Sequence, residues 1–193
     1  MRIIAATNNH DKLKEFRQIL SPFGYEVMSL KEAGIAADVE ESGSTFLENA
    51  IIKAKTIMAL SGQIALADDS GLEVLALDGE PGVYSARYAH GSDEDRMNKL
   101  LQRMYGIDDR RARFVCEVAL CFTDGQIVSC RGECEGKITD QPKGVNGFGY
   151  DPIFYIDQFK GTFAELVAEE KNKISHRGVA LQKLREKLSQ QDK

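Results

Sequence analysis

The run Arg2-Ile3-Ile4-Ala5-Ala6 is apolar from Ile3 onward and breaks at once into the polar stretch Thr7-Asn8-Asn9-His10-Asp11, after which Leu13, Phe16 and Leu20 fall at i, i+3 and i+7. A short unbroken apolar run reads as a buried strand, and the helical spacing that follows reads as the core face of a helix. A strand that feeds a helix through a polar loop lays that helix on a sheet, so the chain opens as an α/β fold. Pro22 and Gly24 stop the helix, and Tyr25 to Leu30 supplies a second strand.

The same grammar recurs along the chain. Thr45 with Glu48 forms a capping box, Leu47, Ala50, Ile51, Ala54 and Met58 mark the predicted buried stripe, and Gly62 ends the helix before a strand at Ile64 to Ala67. Ser92 with Asp95 opens another helix, with Met97, Leu100, Leu101 and Met104 on one face and Gly106 beyond its end. Two β-rich runs, from Arg113 to Phe122 and from Gln126 to Ile138, meet at the turn dipeptide Asp124-Gly125 and predict an antiparallel pair. Thr162 with Glu165 caps a short helix, and Val179, Leu181, Leu184 and Leu188 give a last amphipathic helix after Ser175. No repeat, low-complexity tract or linker interrupts this order, so residues 1–193 read as a single domain.

Composition narrows the function. A net charge of -5 gives no general attraction for a polyanion, so a nucleic-acid partner is not expected and any phosphate recognition must be local. No apolar run approaches the ~20 residues of a spanning helix, and the opening is too short for a signal-peptide core, so no membrane partner and a cytoplasmic location are expected. Cys116, Cys121, Cys130 and Cys134 lie in strand-like sequence and read as reduced core residues.

Several segments carry chemistry. Thr7-x-Asn9-x-x-Lys12 gathers a hydroxyl, an amide and an ammonium at the start of a helix, where free N–H groups favour an anion, although it lacks the glycines of a Walker loop. Asp68 and Asp69 sit just past an apolar strand; side chains alternate faces along an extended chain, so one enters the site while the other serves the scaffold. Carboxylates here suit Mg²⁺, and the pair Glu40-Glu41 offers another ligand under the same parity, which leaves open which glutamate it is. In Gly147-Phe148-Gly149-Tyr150-Asp151-Pro152 the glycines permit close backbone approach, and Phe148 or Tyr150 could offer a ring to a base. Lys171 and the run Ser175-His176-Arg177 add donors for phosphate and carbonyl groups. The loop Asp78 to Arg87 reads as a shaped turn.

Taken in order, these segments resemble the inosine triphosphate pyrophosphatase (Ham1-like) family. The likeness runs through Thr7-x-Asn9-x-x-Lys12, Thr45-Phe46-x-Glu48-Asn49-Ala50, Ala67 to Leu72, Pro81 to Tyr88, Gly147 to Pro152 and Ser175-His176-Arg177. The resemblance implies an elongated, two-lobed α/β fold with a central curved mixed sheet flanked by helices, a substrate cleft between the lobes, and a homodimer. It implies that Mg²⁺-dependent hydrolysis splits ITP, dITP and XTP into monophosphate and pyrophosphate, cleaning the nucleotide pool. Carried over, the loop Thr7-Asn8-Asn9-His10-Asp11-Lys12 holds the triphosphate, with Asn8 and Asp11 standing where glycine is commoner. The resemblance implies that Asp69 acts as general base and Mg²⁺ ligand, and Glu40 or Glu41 is the further ligand expected from the acidic pair. Ser70 touches substrate, and Phe148, Gly149, Tyr150, Asp151, Lys171, His176 and Arg177 complete the nucleotide site.

Selectivity is then expected at the 6-position of the purine, where donors on His176 or Arg177 match a carbonyl and clash with the adenine amine. On this reading Arg177→Ala weakens ITP use far more than stability. Two rivals remain: a Maf-like pyrophosphatase acting on pyrimidine or modified nucleotides, and a nucleotide-binding sensor without turnover.

Overall fold

The computed structural model describes residues 1–191. Strands β1 (Arg2–Ala5), β2 (Glu26–Met28), β3 (Ala65–Val74), β4 (Arg111–Cys121), β5 (Ile127–Ile138), β6 (Phe154–Ile156) and β7 (Gly161–Thr162) form one seven-stranded sheet in the order β2-β1-β3-β4-β5-β6-β7. β1 runs parallel to both β2 and β3, whereas β6 is antiparallel to β5 and to β7, so the sheet is mixed. Helices α1 (His10–Leu20), α2 (Phe46–Ser61), α3 (Asp93–Arg103), α4 (Ala168–Ile174) and α5 (His176–Gln191) complete the α/β fold that the residue pattern predicts.

The chain gathers into two compact units, and β3, β4 and β5 each contribute residues to both. The first unit holds Met1–Asp69, Cys116–Gly132 and the chain from Arg177 onward. Its sheet is apolar on both faces because helices cover both. Ile3, Ala5, Leu66, Cys116, Val118 and Leu120 pack with Leu13 and Phe16 of α1 and Leu181 and Leu184 of α5. Ile4, Ala6, Ala65, Ala67, Ala119 and Cys121 pack with Ala50, Ala54 and Ile57 of α2. Doubly covered strands read as continuous apolar runs for this reason.

The second unit, Ser70–Val115 with Glu133–His176, gathers Leu72, Val74, Met97, Leu100, Phe114, Phe154 and Phe163 into its own core. Between these apolar positions Glu73 and Arg113 meet in an ion pair of 2.7 Å, the alternation of a sheet with one buried face.

The caps follow the sequence closely. Thr45 and Ser92 close capping boxes with Glu48 and Asp95, and Gly62 ends α2 in the left-handed conformation. The hairpin turn is also where expected, with Phe122 N–H donating to the Gln126 carbonyl and Gly125 at a φ of 88°. The Thr162–Glu165 box caps only a 3-10 turn, Phe163–Glu165, and the separate helix α4 follows it.

Two expectations need correction. β3 does not stop at Ala67 but continues through Asp68-Asp69-Ser70-Gly71 to Val74, because cationic and amide partners wait on both faces for the carboxylates. The buried stripe of α2 is Phe46, Asn49, Ala50, Lys53, Ala54 and Ile57, rotated from the predicted one; Leu47, Ile51 and Met58 are only partly covered. Counting apolar residues alone could not include Asn49 and Lys53, which share that face.

Candidate active site

Parity along β3 builds the first cluster. Asp68 has the same parity as Leu66 and faces α1 and α5; Asp69 has that of Ala67 and faces α2. Both are buried, and each meets a different set of partners.

Asp68 belongs to a cationic cluster. Its Oδ2 accepts from Arg177 Nε at 3.1 Å and Nη2 at 2.8 Å, and lies 3.1 Å from Lys12 Nζ. Arg177 Nη1 donates to Glu15, a buried acid of α1. Burial alone would raise the Asp68 carboxyl, but Lys12, Arg177 and Lys53 outweigh it and hold it well below the usual carboxylate range. Arg177 stays protonated because Asp68 and Glu15 more than offset its burial. Asp68 Oδ1 is buried without a hydrogen-bond partner among the described residues.

Asp69 sits in a different environment. Asn49 Nδ2 donates to its Oδ2 at 3.0 Å, while Asn49 Oδ1 accepts the Gly43 N–H at 2.8 Å, which orients the amide. A Cβ at Gly43 would lie 2.7 Å from that Oδ1, so glycine permits the approach. Lys53 Nζ lies 3.5 Å from Asp69 Oδ1 and 2.5 Å from Glu41 Oε1, an ammonium lodged between two carboxylates. Burial raises the Asp69 carboxyl above its ordinary range, and Lys53 and Lys12 only partly counter it. Burial disfavours the Lys53 charge, yet Asp69, Asp68 and Glu41 more than restore it.

The two glutamates stand in different settings. Glu41 is partly buried on Lys53, whereas Glu40 is exposed. Glu41 and Asp69 converge on one positive group, and no group of three or more acidic, His or Cys ligands forms among the described residues. Two hard oxygen donors suit Mg²⁺, which fills its remaining positions with water and substrate phosphate. The donor set therefore fits that ion at Asp69 and Glu41.

The anion loop is ordered by its own side chains. Thr7 Oγ1 accepts the Asn9 N–H at 3.1 Å, and Asn9 caps α1 by accepting the Lys12 N–H at 3.0 Å. Asn8, His10 and Asp11 are exposed, and Asn8 donates to the Ala37 carbonyl.

A second cluster lies in the second unit. Gly147 at a φ of 74° and Gly149 at 62° flank Phe148, whose N–H donates to Asp151 Oδ2 at 2.9 Å. A Cβ at Gly147 would lie 2.0 Å from that oxygen. Lys171 Nζ donates to Asp151 Oδ2 at 2.7 Å and lies 4.8 Å from the centroid of the Phe148 ring. Phe148 is partly exposed, whereas Tyr150 is buried with its hydroxyl donating to the Ser85 carbonyl, so only Phe148 offers a ring face. His176 stacks on Phe114 with centroids 4.6 Å apart. Ser70 is partly exposed on β3.

The predicted residues thus divide between the units: Thr7 to Lys12, Glu40, Glu41, Asp69 and Arg177 in the first, and Ser70, Phe148, Gly149, Tyr150, Asp151, Lys171 and His176 in the second. Arg177 is only 1% exposed and engaged by two acids, so the expectation that its removal spares stability does not survive. Sequence reasoning missed Lys53 and Glu15, and named Asn49 only within a motif, without a role. Their signal is positional: Asn49 and Lys53 lie one turn apart on the alanine-rich face of α2, and Glu15 adjoins Phe16 on α1.

Comparison with known proteins bears on this arrangement. The profile of the Ham1 family matches residues 3–187. A dITP/XTP pyrophosphatase of Desulforamulus reducens is 50% identical over 98% of this chain and 96% of that protein. One of Bacillus licheniformis is 50% identical over 97% of this chain and 98% of its own. The structure of the Staphylococcus aureus Ham1 protein superposes with a TM-score of 0.88 at 44% identity, covering 99% of this chain and 100% of that one.

Proposed function

The chain belongs to the Ham1 family, and from that premise we propose that it hydrolyses the non-canonical purine nucleoside triphosphates ITP, dITP and XTP to the monophosphate and pyrophosphate. The observation that carries the chemistry is Asp69: a carboxylate raised by burial, held by the Asn49 amide, and paired with Glu41 around one ammonium. A base should have a pKa lifted toward the working pH, and Asp69 is lifted while its neighbour Asp68 is held down.

In the proposed reaction Asp69 takes a proton from water as the water oxygen attacks the α-phosphorus, and the bond from that phosphorus to the bridging oxygen breaks to release pyrophosphate. Asp69 and Glu41 would hold Mg²⁺, which when bound would supply Lewis-acid neutralisation of phosphate charge. Lys53 holds both carboxylates in place, and Lys12 binds phosphate. When Lys12 turns to phosphate, Arg177 still neutralises Asp68. Phe148 stacks on the base, Lys171 supports that ring and Asp151, and His176 serves the 6-carbonyl. Among the described residues no helix is long and apolar enough to cross a membrane; a cytoplasmic homodimer is the form we propose.

The test is a panel of ITP, XTP, GTP, ATP, dCTP and dUTP with Mg²⁺, following pyrophosphate and orthophosphate. Pyrophosphate from ITP and XTP alone supports the proposal. Tight ITP binding without product would favour the sensor, and pyrimidine preference the Maf-like reading.

The glutamate pair gives a separate expectation. Glu41→Gln should raise the Mg²⁺ concentration needed for half-maximal rate by about tenfold or more, while Glu40→Gln stays within about twofold of wild type. Equal behaviour of the two variants in a Mg²⁺ titration would remove Glu41 as a ligand.

A further inference from the structure

The ring of Phe148 stands on a loop that needs outside support. Gly147 and Gly149 are both left-handed, and the residues from Gln141 to Gly147 are exposed. Such a segment orders its side chain only through specific ties. Before the ring, Val145 N–H and Asn146 N–H donate to the Ala164 carbonyl and the Asn146 amide donates to the Leu166 carbonyl; after it, the Tyr150 hydroxyl donates to the Ser85 carbonyl. At the ring itself Phe148 N–H donates to Asp151 Oδ2, and the next donor, Gly149 N–H, reaches Asp93 Oδ2 at 2.7 Å, 56 residues away in sequence.

Asp93 is the first residue of α3, yet the helix does not use it as a cap. Ser92 and Asp95 complete the capping box between themselves. Arg96 holds the other Asp93 oxygen and donates to the Gly91 carbonyl at 3.2 Å, so the carboxylate is fixed at both oxygens. The result is a charged acceptor aimed at the backbone donor next to Phe148.

We propose that Asp93 is a positioning residue: by holding the Gly149 N–H from the first turn of α3 it fixes the loop that presents Phe148, and so sets the affinity for the nucleotide base. The consequence for affinity rests on the reading that Phe148 receives the base; the ordering of the loop does not.

The chain has no tryptophan, so Phe148→Trp creates a single fluorescent reporter at the loop. In nucleotide-free protein, adding Asp93→Ala should raise acrylamide quenching of this reporter about twofold, Asp93→Asn by less, and the control Glu94→Ala not at all. With Phe148 intact, Asp93→Ala should raise KM for ITP about tenfold, the worth of one charged hydrogen bond, with kcat within about twofold. Its Tm should stay within about 3 °C of wild type, since the capping box is untouched. Unchanged quenching, or kcat, KM and Tm all deteriorating together, would overturn the assignment. Should wild-type protein not turn over ITP, the functional reading falls, and the quenching comparison alone then decides whether Asp93 orders the loop.

Discussion

Replacing Asp69 with Asn is expected to lower kcat for ITP by about 10³-fold or more while leaving the protein folded. General-base catalysis alone contributes about 10² to 10⁴, and the same substitution removes one of the two proposed metal ligands. Stability should be spared for a reason visible in the site. The Asp69 charge is unfavourable where it sits, since burial raises its pKa, so an isosteric neutral amide relieves that cost. Lys53 keeps Glu41 as a partner at 2.5 Å, so no cation is stranded. Thermal melting should show Tm unchanged or slightly raised, and single-turnover assays should show the loss in the chemical step. An Asp69→Asn variant with more than about a tenth of wild-type kcat would sink the assignment.

The second large effect is on stability. Arg177→Ala would leave Glu15 and Asp68 facing each other across a buried gap, with Lys12 and, farther off, Lys53 still acting on Asp68. Breaking a buried pair by removing one partner costs about 3–5 kcal/mol, which in a chain of this size lowers Tm by roughly 10 °C. The cost comes from stranded charge, so Arg177→Met combined with Glu15→Gln should recover part of the loss. Calorimetry on the single and double variants decides the matter. If Arg177→Ala melts like wild type while losing ITP turnover, Arg177 serves the substrate and the ion cluster is incidental.

What the sequence made legible, and what it hid, has one physical cause. Strand and helix order, both long capping boxes and the Asp124-Gly125 turn were readable because they depend on neighbours within a few residues. Phe148 and Lys171 could be named from their glycine-rich and charged settings, and the structure adds their joint hold on Asp151. The site partners were hidden because they look like errors in a pattern. Lys53 and Asn49 interrupt the apolar face of α2, so a stripe chosen by hydrophobicity swings toward Leu47 and Met58 and leaves them outside. Glu15 is buried only because Arg177, 162 residues away, meets it. The end of β3 is misplaced for a related reason: two acids read as lying past the strand until Arg177, Lys12, Lys53 and Asn49 are in view. Parity predicted that Asp68 and Asp69 would divide their roles, and long-range pairing decides which does what.

The unbroken course of β3 from Ala65 to Val74 also makes it a reading frame. One residue inserted or deleted between Ala65 and Asp68 would exchange the two carboxylates, sending the proposed base toward Arg177 and the ion-pair acid toward Lys53. Neither role would survive the swap, although both carboxylates would still be present. Evolution of this chain can therefore alter length at turns such as Asp124-Gly125, but within β3 it can only substitute letters, never shift them.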